Sequence, residues 1–149
     1  MSAIPKYHGK DRKHLQNVLR DNGFRSTEGR LALLAALARS SKPLPVEVLA
    51  RQLSTRLDEV NVYRALESFA KAGITRRVDL QHGHAHYEFV HGDDHHHVVC
   101  TGCSKIEDFE GCDYEKLAQK ALKQVKEFSR IESHSFELFG LCNTCATQL

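Results

Sequence analysis

Two short cysteine pairs constrain this chain more than any other feature of its sequence. Cys100-Thr-Gly-Cys103 and Cys142-Asn-Thr-Cys145 are separated by 38 residues. Two thiolates on one tight turn can occupy adjacent corners of a tetrahedron, and a second such turn supplies the other two. Zinc favours that soft, closed, four-coordinate site. The intervening stretch exceeds the usual spacing of a zinc ribbon. A structural zinc here would therefore pin the strand after Phe136 against the turn at Cys100 and close a whole domain. A redox Cys-x-x-Cys fits less well, because there are two pairs and neither opens a helix in a clear βαβ unit. The fifth cysteine, Cys112, reads as a plain free thiol.

With 149 residues there is room for one ordinary domain or two small ones. No apolar run approaches the roughly 20 residues needed to cross a bilayer. The opening residues, from Met1 to Lys6, lack the apolar core of a signal peptide. The expectation is a cytoplasmic protein with no membrane partner, in a compartment that keeps thiols reduced. Charge divides the chain unevenly. Residues 1–80 carry fifteen Lys and Arg against eight Asp and Glu, whereas residues 81–149 carry six against eleven. A basic half suits a phosphate-rich partner, and an acidic half rich in His and Cys suits cations.

Residues 1–9 read as a frayed terminus. Leu15, Val18 and Leu19 begin a first helix that stops at Gly23. Ser26 or Thr27 can cap a second, whose apolar face is Leu31, Leu34, Ala35 and Ala38. Pro45 suits the first turn of a third, with Val46, Leu49 and Leu53 as its buried stripe. Asp58 is placed to cap a fourth helix, Glu59 to Ala72, with Gly73 as its stop. Two strands, Ile74–Leu80 and Ala85–Val90, then form a hairpin. Helices followed by such a hairpin make a winged helix-turn-helix.

After Gly92 the pattern changes. His97–Thr101 and Lys105–Phe109 read as strands around the first cysteine turn. Leu117, Ala121, Leu122, Val125 and Phe128 form a helical stripe, and Ile131–Leu141 reads as a third strand. The predicted class is α+β: a winged helix over 1–90, a hinge at about 88–94, and a small α/β domain over 95–149. That domain has a three-stranded sheet and the structural zinc.

Seven of the ten histidines lie between His82 and His97. On a strand, His95 and His97 face one way and Asp94 and His96 the other, so the run Asp93–His97 can serve two metal sites. Imidazole and carboxylate together suit Fe(II), Mn(II), Zn(II) or Ni(II) without choosing sharply among them. Tyr63 and Arg64, near the start of the fourth helix, stand where a recognition helix meets base edges and phosphates. Asn61 shares the polar side of that helix. Arg25, before the second helix, and Arg76 and Arg77, on the wing, are further candidate DNA contacts.

These motifs resemble the ferric uptake regulator superfamily. The similarity is carried by Gly23-Phe-Arg-Ser-Thr27, Asn61-Val-Tyr-Arg-Ala-Leu66, Ala72-Gly-Ile74, His95-His-His-Val-Val-Cys100 through Cys103, and His134-Ser135 through Gly140-Leu-Cys142. It spans about Leu15 to Cys145. The resemblance implies a homodimeric repressor that binds an AT-rich palindromic operator in double-stranded DNA when a regulatory metal is present. It also implies a hinge site of Glu88, His95, His97 and Asp108, and a further site of Asp94, His96, Glu115 and His134. Members that sense iron or peroxide usually take one more His from the loop before the third helix. Here that loop reads Lys42-Pro-Leu-Pro45, and Val90 stands where a zinc-type Cys would fall. His86 lies two residues from Glu88 on one strand face and is the candidate replacement. Iron is the favoured regulatory metal, with zinc close behind and manganese possible; a zinc-uptake or peroxide-sensing role is the alternative.

Two other classes compete. A small metal-dependent hydrolase could use His, Asp and Glu at an open site, but the chain offers no roomy α/β scaffold. A metal buffer would need neither the Tyr63-Arg64 helix nor the basic half. The expectation is a regulator, not an enzyme, with no small-molecule substrate.

Overall fold

A computed structural model of the chain describes residues 12–81, 83–92 and 95–148. Two earlier expectations lie outside these residues: the frayed terminus at 1–9 and the metal role of Asp94. The chain divides into two compact units, Met1–Gly92 and Asp93–Leu149.

The first unit is built around four helices: α1 (Arg12–Asp21), α2 (Glu28–Arg39), α3 (Val46–Gln52) and α4 (Glu59–Lys71). Each presents one apolar stripe to a shared core. Leu15 and Leu19 from α1, Leu31, Leu34 and Leu37 from α2, Leu49 from α3, and Val62, Leu66 and Phe69 from α4 are all buried there. Of the two possible caps for α2, Thr27 is the one used: its hydroxyl accepts from the Arg30 N–H at 3.4 Å. Gly29 brings α2 close to its neighbour. A Cβ there would lie 3.0 Å from both the Arg56 carbonyl oxygen and Leu57 Cδ1, so only glycine lets that segment lie so near. The cap of α4 is doubled. Asp58 accepts from the Asn61 backbone N–H at 2.9 Å and from its side-chain amide at 2.5 Å. Gly73 closes the helix with a φ of +75°.

The wing holds one strand more than the hairpin predicted. Strand β2 (Thr75–Asp79) pairs antiparallel with β3 (Ala85–Phe89), and β1 (Leu44–Pro45) adds to the other edge of β3. Pro45 therefore stands before α3, as its N-cap residue with ψ 144°, and not within its first turn. A proline tolerates an edge strand because no ladder donor is asked of it there.

The second unit has a mixed sheet in the order β5-β4-β6. Strand β4 (His96–Cys100) runs antiparallel to β5 (Ile106–Phe109) and parallel to β6 (Glu137–Gly140). Helix α5 (Tyr114–Gln124) makes the crossover, which parallel strands require. The one-turn helix α6 (Asn143–Ala146) follows β6. Two expected elements are shorter than read. The helical stripe ends at Gln124, because Val125 is extended (ψ 142°), which leaves Phe128 beyond the helix. The strand expected over Ile131–Leu141 is regular only from Glu137, the first residue with a partner on β4.

Candidate metal centres and nucleic-acid interface

The cysteine turns meet. Cys100 ends β4 and Cys103 completes the turn behind it; Cys142 caps α6 and Cys145 lies one turn along. The four Sγ atoms all lie within 4.8 Å of one another. Cys103 Sγ and Cys142 Sγ are 3.7 Å apart. Zinc–sulfur bonds near 2.3 Å give a tetrahedral edge of about 3.8 Å, so the spacing fits the ion. No disulfide joins the described cysteines.

Their electrostatics also suit a cation. The Cys142 backbone N–H donates to Cys100 Sγ at 3.3 Å. That donation, with another from the Cys103 N–H, holds the Cys100 thiol down at about 6. The Cys145 thiol is pushed up to about 12 by hydrogen bonds to the sulfurs of Cys142, Cys103 and Cys100. A bound dication would let all four sulfurs ionise by offsetting the repulsion between thiolates so close together. Gly102 makes the crossing of the turns possible, since a Cβ there would sit 2.9 Å from Cys145 Sγ. Gly102→Ala is expected to displace Cys145 and speed zinc loss to a chelator at least tenfold. Chelator-competition kinetics would measure it, and wild-type rates would show that Cys145 has room to move.

The two faces of β4 carry different chemistry. On one, the His95 and His97 rings stand edge to face with centroids 5.1 Å apart. His97 lies opposite Asp108 in register, and its Nδ1 is 3.0 Å from Asp108 Oδ1. A carboxylate there fixes the tautomer and orientation of a ligating imidazole. On the other face, His96 meets His134, with their Nε2 atoms 3.4 Å apart. The third group beside them is Cys112, within 4.8 Å of both. Glu115, expected at this place, is exposed in the first turn of α5 and is not part of the group.

On the wing, Glu88 is only 7% exposed and lies opposite Arg76. Its Oε1 accepts from Arg76 Nε at 2.7 Å and is 2.5 Å from Nη2. Arg76, expected as a DNA contact, is thus half-buried and ion-paired. Its neighbour Arg77 points the other way and is exposed, as strand alternation requires. His86 is buried, with Nδ1 3.0 Å from the His84 carbonyl oxygen. Tyr63 and Arg64 are exposed on α4, and Arg25 is exposed before α2. Asn61 is also exposed, but its amide is engaged by Asp58. Sequence reasoning missed two partners, the Arg76 of Glu88 and the Cys112 of His96.

A winged helix joined in one chain to clusters of thiols and imidazoles defines a metal-responsive transcriptional regulator. The family model of the ferric uptake regulator family matches residues 21–139. The ferric uptake regulation protein of Bordetella parapertussis is 34% identical over 134 residues, covering 87% of this chain and 95% of its own length. The ferric uptake regulator of Francisella tularensis, solved with iron, superposes with a TM-score of 0.67 at 25% identity, over 83% of this chain and 96% of that one. The Helicobacter pylori regulator shares the fold, with a TM-score of 0.71 at 22% identity over 97% of both chains. The chain belongs to the ferric uptake regulator family. Among the described residues, no helix is long and apolar enough to cross a membrane.

Proposed function

We propose that this chain is a repressor that binds AT-rich palindromic DNA as a homodimer when a regulatory divalent metal, iron above others, is bound. The observation that carries this reading is the face of β4 where the His95 and His97 rings meet and Asp108 pairs with His97, imidazole and carboxylate chemistry suited to Fe(II) and its neighbours. Glu88 joins these as the wing's ligand, with His86 as a further candidate. Metal capture by ligands from both units would favour one arrangement of them, and that arrangement favours DNA. The four cysteines hold the structural zinc. Residues 1–90 are the DNA-binding part and 95–149 the dimerisation part, with the hinge at about 88–94.

The choice of iron is supported by the name of the Bordetella relative and by the iron in the Francisella structure. Support for the homodimer comes from what one copy leaves uncovered. Helix α5 has no buried residue, and Leu117, Phe128, Phe136, Leu138 and Leu141 are all more than 40% exposed. A second copy can cover them, as small units need. On the DNA side, Tyr63 and Arg64 are the readers, and Arg25 and Arg77 contact the backbone.

The test is operator binding at fixed salt by protein that keeps its cysteine-bound zinc, titrated with Fe(II) under anaerobic conditions, then with Mn(II) and Zn(II). Specific binding is expected to rise at least tenfold with Fe(II), and Glu88→Ala to abolish the rise. Binding indifferent to every ion would overturn the proposal. A response to zinc alone would move the chain to the zinc-sensing branch.

A further inference from the structure

We propose that Cys112 is a metal ligand, and that His96, Cys112 and His134 form a thiolate-containing centre for zinc or a similarly soft divalent ion. This goes beyond the regulatory reading, whose site is nitrogen and oxygen only. It adds a sulfur to the two histidines of the site that the family resemblance implied; Glu115 stands outside this group, and Asp94 lies outside the described residues.

The geometry is close to what an ion needs. Metal–nitrogen bonds of 2.0–2.1 Å at a tetrahedral angle place two nitrogens about 3.3 Å apart. His96 Nε2 and His134 Nε2 are 3.4 Å apart. A nitrogen–sulfur edge is about 3.6 Å on the same bond lengths. Cys112 Sγ lies within 4.8 Å of both rings, so rotation about its side-chain bond can close the gap.

Both imidazoles are held in place beforehand. His96 is 4% exposed, at the start of β4, and packs against Phe109 and Phe136 with centroids 5.4 and 5.5 Å away. His134 stacks on Tyr114 at 4.2 Å and 16°. The Tyr114 hydroxyl donates to the Ile131 carbonyl at 3.3 Å, tying that ring to the segment leading to His134. Cys112 arrives on a turn at Gly111, whose φ of +97° favours glycine. Asp113 then caps α5, accepting from the Lys116 N–H at 3.3 Å. That cap fixes where the helix starts and leaves Glu115 exposed on its first turn. Binding replaces the Cys112 thiol proton, which passes to solvent, with a metal–sulfur bond. A thiolate beside two imidazoles moves preference from Mn(II) towards Zn(II) and Co(II).

Cobalt separates this site from the others. Protein retaining one cysteine-bound zinc per chain is loaded with two equivalents of Co(II), and ligation is read by cobalt-edge X-ray absorption and by the sulfur-to-cobalt charge-transfer band. The expected result is a sulfur in the cobalt shell and a charge-transfer band. Both are lost in Cys112→Ser with zinc content and circular dichroism unchanged, and the band is weakened at least tenfold in His134→Ala. Cobalt bound by nitrogen and oxygen alone in the wild type would overturn the proposal. So would a sulfur signal that survives Cys112→Ser, because that sulfur would come from the four-cysteine site. DNA binding plays no part in the readout, so failure of the repressor reading would leave the result interpretable.

Discussion

Cys103→Ser and Cys142→Ser are each expected to release the structural zinc and unfold residues 93–149, while Cys112→Ser leaves that zinc and the fold in place. The reason lies in how little else holds the second unit together. The main buried cluster of the protein belongs to the first unit, and α5 buries no residue at all. What closes the second unit is the meeting of two cysteine turns and a short parallel ladder. Zinc binding in small metal-dependent folds contributes on the order of 10 kcal/mol, and that energy is folding energy. Removing one of four ligands removes most of it. Two measurements check this: zinc content after mild chelation, and thermal unfolding followed by circular dichroism, where the first unit should still melt cooperatively. Equal damage from all five Cys→Ser variants would sink the assignment, as would full zinc retention in Cys142→Ser.

Tyr63→Ala and Arg64→Ala are expected to weaken operator binding by about 1–3 kcal/mol each, roughly ten- to a hundredfold, if both touch base edges. Helix α4 is suited to the task because its buried side, Val62, Leu66 and Phe69, is separate from its exposed one. The doubled Asp58 cap holds its first turn, so the side chains it presents are fixed in direction. Arg77→Ala should behave differently. A phosphate contact carries no sequence information, so all DNA should be bound more weakly and the salt slope reduced by about one. Fluorescence anisotropy at several salt concentrations, with operator and scrambled duplexes, distinguishes the two patterns. Wild-type affinity in both α4 variants would mean that another element reads the bases.

What could be read from the sequence was local. The caps of α2 and α4, their apolar stripes and the glycines that follow α1 and α4 all lie within a few residues of what they control. Strand alternation also separated the two faces of the His95–His97 run. Contacts that depend on distant segments were hidden. Strand β1 is two residues long, contains Pro45 and exists because β3 lies beside it. The Arg76–Glu88 pair follows only from the hairpin register. Cys112 carries no neighbouring motif, and its place beside His96 and His134 depends on a loop turn and on a segment more than twenty residues further on. The third strand was read too long because alternation at His134, Phe136 and Leu138 is real, yet a partner strand exists only from Glu137.

The β4–β6 ladder also bears on the order in which the second unit assembles. Its pairs run from His97 with Glu137 to Cys100 with Gly140, each joining residues 40 apart in the chain. The β4–β5 hairpin, by contrast, closes over a short turn and can form within microseconds. Closing the longer loop carries an entropy cost that must be met before any contact rewards it, which makes such pairings slow. The turn at Cys100 and Cys103 is local, so it can capture an ion as soon as the hairpin exists. That ion then offers a target to the distant turn at Cys142 and Cys145. On this order of events, metal supply is expected to set the rate at which this unit matures as well as its final stability.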